Sequence, residues 1–394
     1  MNNPFFSFWM AGFECTDKLN AFGNRVDFIK ETGHLDAIDS DYQLLDTFGM
    51  RTVREGLRWS QVEQSPYEYN WADTIQMVKA AAKAQVQIVW DLCHFGYPDD
   101  LTPLHPMFAA RFAAFARAFV IMYREMEPNL TLIVTPINEV GFISWLGGEV
   151  AGTSPYCHNN GWAVKCQLMK AYIEAIRQMK VIDPYLRIMT TEPLVNILPA
   201  PFADELETAA AQSANEHQFQ VLDILAGKSC PELGGDPSFL DIIGVNYYFP
   251  NQWFHITNER LQWRQPEQQG GRRLNELLKN IYQRYQRPVV LSETSYPADE
   301  RDEWIAMIGN ECSETLKAGI PLWGICWYPI IDRPDWDHLT PWHNSGLWDN
   351  DAVPGQKPNR ILHQSSAIAL RIQQEFFREN HLQQSVNAEG SAHS

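Results

Sequence analysis

The sequence predicts an α/β fold, a single (β/α)8 (TIM) barrel. Three observations predict it. Strand-like apolar runs alternate with amphipathic helical runs along nearly the whole chain. The length, 394 residues, suits one large barrel of this type. Polar and aromatic residues gather at the ends of the strand-like runs, where barrels carry their sites. A doubly wound open sheet is the alternative. It loses ground because no Gly-rich phosphate loop follows the first strand.

The elements follow in order. The first strand is "SFWMAGF" (7–13), and a helix over 35–49 ends at Gly49, a residue type suited to a helical stop. "MRTVREGL" (50–57) is the second strand, followed by an Ala-rich helix over 71–85. "VQIVWDLCHF" (86–95) is the third. A long helix over 105–126 follows, with Pro106 suited to its first turn. "LTLIVTPIN" (130–138) is the fourth strand and 161–183 a helix. Strands five to eight fall at 185–192, 239–248, 287–293 and 321–328. The helices between and after them fall within 203–227, over 272–285, over 302–319 and over 360–379. The longest insertions, 140–160 and 329–357, read as loops after strands four and eight. The barrel is expected to span 1–384, and the small polar tail 385–394 to be disordered.

Composition excludes several function classes. Net charge is −17, against the clustered Lys and Arg that nucleic acid or an anionic membrane surface requires. No run of apolar residues is long enough to span a bilayer. The seven cysteines are odd in number and lack C-x-x-C spacing. They read as reduced core thiols, and with no basic n-region at the start the expected location is cytoplasmic. The 14 Trp residues fit either spare core or a ligand whose rings they stack on.

The strand ends carry the chemistry. They are Glu14, then Arg54 running into "LRWS", His94, Asn138-Glu139, Glu192, Asn246-Tyr247-Tyr248, Glu293 and Trp327. Any one of these has a bland structural reading, and a strand-end His is more often a satisfied partner than a catalyst. Their convergence on one rim is what argues for a site. Glu139 and Glu293 end strands four and seven. Two opposed carboxylates across a sugar-sized cleft are the equipment of glycoside hydrolysis. The sequence has no H-x-H, no H-E-x-x-H and no G-x-S-x-G, so neither a metal hydrolase nor a serine hydrolase is supported, and no metal or cofactor is expected.

With these residues in view, the chain resembles clan A of the glycoside hydrolases. It is most similar to family 1, the β-glucosidase family, with some similarity to family 42 β-galactosidases around the second strand. The family pattern R-x-S-x-x-W-S-R-I meets "REGLRWSQV", keeping Arg54, Trp59 and Ser60. Y-H-W-D-x-P meets "CHFGYP", keeping His94, and T-x-N-E-P meets "TPINEV", losing the Pro. G-x-N-Y-Y is intact as "GVNYY", and T-E-N-G meets "SETS", keeping Glu293. W-S-L-x-D-N-x-E-W meets "WYPIIDRPDW", keeping Trp327 and Trp336 with one extra residue between them, and Asp335 in place of Glu. The later "SGLWDND" is similar to F-G-L-x-x-V-D.

The resemblance implies roles. Glu139 would be the general acid/base and Glu293 the nucleophile, with Arg54 and Tyr248 hydrogen-bonding it. Asn138 would bind the sugar 2-hydroxyl and His94 an adjacent one. Asn246 belongs to the same substrate-binding set. Trp327 would form the platform under the ring, with Asp335 and Trp336 beside it. The reaction implied is retaining hydrolysis of small β-linked glycosides. Transglycosylation, or β-galactosidase, β-mannosidase or β-fucosidase specificity, would use the same pair. A non-catalytic sugar-binding protein is the reading from another class. The departures bear on specificity. The family's first-strand Gln is missing and Glu14 stands in that region. Asp335 is one methylene shorter than the Glu it replaces. No Lys follows strand eight to hold a 6-phosphate. The shorter chain implies trimmed loops and a more open cleft. Oligomeric state is left open.

Overall fold

Residues alternate in and out along the second barrel strand, and the alternation sets the architecture. Val53 and Glu55 face the outer helices, while Thr52 and Arg54 face the barrel axis. The computed structural model describes residues 2–351 and 358–382. Eight parallel strands close a barrel: β1 (Trp9–Gly12), β2 (Thr52–Gly56), β3 (Gln87–Asp91), β4 (Ile133–Thr135), β5 (Arg187–Pro193), β6 (Ile242–Asn246), β7 (Val289–Thr294) and β8 (Leu322–Trp327). Each strand pairs with its sequence neighbours, and β8 returns to β1 through Trp9 opposite Ile325. Met10, Val89, Ile133, Met189, Ile242, Val290 and Cys326 fill the interior, so the barrel is a packed core and not a pore. A second, larger apolar layer lies between strands and helices, with Trp59, Trp90 and Trp304 fully buried in it.

The outer helices are α1 (His34–Leu44), α2 (Ala72–Ala84), α3 (Phe108–Met126), α4 (Val140–Gly148), α5 (Gly161–Ile182), α6 (Glu205–Glu216), α7 (Leu274–Tyr285), α8 (Arg301–Lys317) and α9 (Gln364–Phe377), with shorter helical turns between them. Three expectations need correction. The insertion after the fourth strand is not all loop, because its first half is α4. The helix after the third strand begins at Phe108, so Pro106 precedes it and does not occupy its first turn. The final helix is preceded by a strand, Asn359–Leu362, which pairs antiparallel with Trp348–Asp351. The tail 385–394 lies outside the described residues, as does 352–357 of the last insertion. No described helix is long and apolar enough to cross a membrane.

One buried ionic cluster ties α1 to β2. His34 is sandwiched between Asp41 and Glu55, each at 2.8 Å, with its ring stacked on Phe13 at 3.9 Å. Arg360 closes the group on Asp41 at 2.8 and 2.9 Å. Burial pulls the imidazole pKa down, but Glu55 and Asp41 more than offset it and bring it to about 9. A raised folded-state pKa stabilises the protein fully below the unfolded value of about 6.5 and is lost as pH rises through the folded one. Stability is therefore expected to fall by ~3 kcal/mol between about pH 6.5 and pH 9.5. Denaturant midpoints across that window measure it. A slope that persists unchanged in His34→Gln would assign the effect to another group.

Candidate active site

The C-terminal ends of the strands open into a cleft of about 560 Å³. Glu14, His94, Asn138, Glu139, Tyr248, Glu293 and Trp336 line it, so seven residues singled out in the sequence meet on one surface.

Glu293 arrives there through a backbone irregularity. Simple alternation on β7 would send it outward, because Val290 faces the barrel interior and Leu291 the outer layer. The register slips between Leu291 and Glu293: two steps along β7 match one step along β6, from Val245 to Asn246. A bulge of this kind re-aims a side chain at the barrel rim. Glu293 then accepts hydrogen bonds from Arg54 Nη1 at 2.9 Å and from the Tyr248 hydroxyl at 2.8 Å.

Arg54 and Asn246 sit one layer below the cleft. The Arg54 guanidinium also reaches the Ser292 carbonyl (2.8 Å), Asp91 Oδ2 (2.5 Å) and Asn138 Oδ1 (3.2 Å). Burial raises the Asp91 pKa, but Arg54 and His94 outweigh it and hold the carboxyl below the usual range. His94 Nδ1 faces Asp91 at 3.0 Å, and its Nε2 lies 3.2 Å from the Asn138 side-chain amide. Cys15, Asp91 and His94 form a buried trio with metal-ligand chemistry, but the Arg54 guanidinium already supplies the cation against Asp91.

Glu139 has the opposite environment. It is 9% exposed and, among the described residues, faces no cation within bonding distance; its carboxyl accepts from Asn246 Nδ2 at 2.8 Å. Burial and then the nearby Glu293 charge push its pKa well above the usual carboxylate range, against the Asn246 hydrogen bond. Asn246 is itself held by the Ser292 hydroxyl at 2.6 Å, so β6 and β7 together orient the amide. Glu139 caps α4 with a left-handed backbone (φ 45°), a conformation costly for a residue with a Cβ.

Glu14 accepts from Thr16 Oγ1 (2.7 Å), Thr16 N (3.1 Å) and the Tyr328 hydroxyl (3.3 Å), and pairs with Arg333 at 3.2 Å. Burial raises its pKa, but Arg333, His94 and Thr16 outweigh it and keep the carboxyl below its usual value. Glu14 is thus a held acceptor facing the cleft.

Two expected residues are placed elsewhere. Trp327 does not line the cleft. On β8 its neighbours Cys326 and Tyr328 face the interior, so Trp327 faces the outer layer, with its indole N–H donated to the Ser345 carbonyl at 3.0 Å. Tyr328 takes the cleft position, its ring parallel to His94 at 5.7 Å and under the Arg54 guanidinium at 5.1 Å. Counted from Tyr328, the run to Trp336 has the spacing of the quoted motif without an extra residue, a signal that was available in the sequence. Asp335 also lies off the cleft. Its carboxylate accepts the Asp337 and His338 N–H groups at 2.9 and 3.1 Å, closing its own turn. Sequence reasoning missed Tyr328 and Arg333 as lining residues. Arg333 sits in a loop without regular structure and no local pattern marks it. Past Phe142, Pro193 and Pro250 the cleft meets a second hollow of about 630 Å³, flanked by the half-exposed rings of Trp145 and Trp162.

No protein-family model matches the sequence, and no curated protein matches it at the level of sequence. Solved structures do match. A β-glycosidase from Pyrococcus horikoshii is 17% identical, with a TM-score of 0.72 over 96% of this chain and 97% of its own. A family 1 β-glucosidase from Thermotoga maritima is 12% identical, with a TM-score of 0.70 over 94% and 98%. A third, the β-glycosidase BGL167, is 15% identical, with a TM-score of 0.70 over 95% and 97%. Over 94–96% of its length the chain therefore shares the barrel fold of these β-glycosidases.

Proposed function

We propose that the protein is a retaining β-glycosidase acting on small β-linked glycosides. One observation carries the reading: Glu139, whose pKa is raised by burial and by the Glu293 charge, faces a Glu293 carboxylate that is held by Arg54 and Tyr248. Two carboxyls in such different surroundings divide the roles of acid and nucleophile.

In the first step the Glu293 carboxylate attacks the anomeric carbon while Glu139 gives its proton to the departing oxygen. The aglycone leaves as an alcohol and the sugar is held as an ester of Glu293. Esterification removes the Glu293 charge, which together with burial raises the Glu139 pKa, so the Glu139 pKa falls and it can act as a base. In the second step it takes a proton from water, the resulting nucleophile attacks the anomeric carbon, and the Glu293–sugar bond breaks. In this reading Asn138 and His94 meet hydroxyls near the reacting carbon and Glu14 those across the ring; all three line the cleft. Tyr328 and Trp336 replace Trp327 as the apolar surfaces for the sugar. The hollow beyond Phe142 gives the leaving group room. The seven free thiols suit a reducing compartment such as the cytoplasm.

The test is stereochemical. Proton NMR of the first sugar released from an aryl β-glycoside should show the β anomer, with the α form appearing only as mutarotation proceeds. An α anomer released first would mean a single displacement and would sink the mechanism.

A further inference from the structure

Three consecutive backbone N–H groups begin α4, and all three land on two neighbouring residues of β5. Glu139 N–H donates to the Thr191 carbonyl at 2.8 Å. Val140 N–H and Gly141 N–H donate to the two oxygens of the Glu192 carboxyl, at 2.7 and 2.9 Å. No side chain of the local sequence caps this helix. The Glu192 carboxyl does so from another strand, where the helix N-terminus favours an anion.

The chain is built to allow this contact. A Cβ on Gly141 would come within 2.8 Å of Glu192 Oε2, so a glycine is what lets the carboxyl approach. Val140 stands where the motif quoted above has Pro, and so it supplies an N–H that Pro lacks. Glu192 is buried, and the reaction described above gives it no role.

We propose that Glu192 is a positioning residue for Glu139: its carboxyl grips the first turn of α4 and so fixes the strained backbone from which Glu139 is aimed across the cleft at Glu293. This rests on the reading of Glu139 as the acid/base. The groups facing Glu192 are Lys165 and Tyr172 from α5 and Glu139 itself, with Glu149 and His217 beyond Lys165. Burial pushes the Glu192 carboxyl up to about 7, against the pull of the two N–H groups and Lys165. Its charge adds to the rise in the Glu139 pKa. The grip thus acts twice, on where the proton donor points and on when it is protonated.

Glu192→Gln tests this. An amide has one accepting oxygen, so one N–H loses its partner, and the negative charge is removed. For an alkyl β-glycoside, whose leaving group needs a proton, kcat/KM should fall at least about tenfold. For a dinitrophenyl β-glycoside, which departs without one, it should change by less than about twofold. The basic limb of the pH profile should move to lower pH, because removing an anion beside Glu139 lowers its pKa. Gly141→Ala, which presses on the same carboxyl and leaves its charge, should reproduce the leaving-group selectivity to a smaller degree. Equal losses on both substrates with an unmoved basic limb would overturn the proposal. A readout independent of turnover is the carbon-13 titration of the Glu139 carboxyl, which should shift down in Glu192→Gln. If Glu139→Gln itself shows no leaving-group selectivity, the acid/base reading fails. The positional claim is then decided by hydrogen exchange at the Val140 and Gly141 amides, which should quicken in Glu192→Gln, and unchanged exchange there overturns it.

Discussion

Glu293→Gly is expected to lower kcat on an aryl β-glycoside by about 10⁵-fold, a loss of ~7 kcal/mol of transition-state stabilisation. The loss should be large because the substitution removes the attacking atom and leaves the rest of the site in place. Glu139, Asn246 and Tyr248 do not depend on the Glu293 side chain for their backbone positions, so the sugar should still bind and KM should change little. The space vacated by the carboxylate lies beside Arg54 Nη1 and the Tyr248 hydroxyl, two donors that each lose an acceptor. A small anion such as azide fits that vacancy and its charge. Added azide should restore turnover by orders of magnitude and give an α-glycosyl azide, since attack comes from the face Glu293 used. A variant that keeps the parent rate, or one that azide rescues to a β-azide, contradicts the assignment of Glu293.

Arg54→Met should have the second largest effect, and on two observables at once. The guanidinium is 1% exposed and bonds Asp91, Glu293, Asn138 and the Ser292 carbonyl. Methionine fills much of the volume but takes the guanidinium from two buried carboxyls, leaving Asp91 with His94 alone and Glu293 with no ion-pair partner among the described residues. Breaking a buried ion pair by removing one partner costs about 3–5 kcal/mol, more than the pair itself contributes relative to an apolar replacement. Denaturant unfolding at neutral pH should show that loss. Activity should fall further than stability, because Glu293 loses a donor and Asn138 an anchor. Arg54→Lys keeps the charge but not the planar fork and cannot serve all four acceptors, so it should recover stability more than rate. Unchanged unfolding in Arg54→Met would mean that Asp91 takes up a proton at little cost.

The sequence made the barrel legible because its strands and helices differ in period, and because each strand ends in a residue unlike the run before it. Glu139, Glu293, Arg54 and Tyr248 could be named from those ends. What stayed hidden depends on register or on distant partners. Trp327 was chosen for its residue type, but only the in–out parity of β8 shows that it turns away and Tyr328 turns in. Parity alone would have misplaced Glu293, which reaches the cleft through a slip in strand pairing that no single strand encodes. The helix at 140–148 was read as loop because its cap comes from Glu192, far away along the chain. Asp335 was assigned to sugar by analogy with a longer residue, and its short arm is used up by the turn it sits in.

The seam where β8 meets β1 bears on the order of assembly. Glu14 and Tyr328 touch across a separation of 314 positions, and the Gly12 carbonyl accepts the Ile330 N–H at 2.7 Å. Contacts of such sequence separation form late, because the entropy of closing the long loop is lost before the contact gives anything back. Both candidate catalytic glutamates lie between these partners, Glu293 on β7 and Glu139 just past β4 at the start of α4, and those strands can pair before the circle is complete. A chain caught at that stage would hold Glu139 and Glu293 on an open sheet with one wall of the cleft missing. Activity recovered on refolding therefore reports closure of the ring, and secondary structure recovered earlier does not.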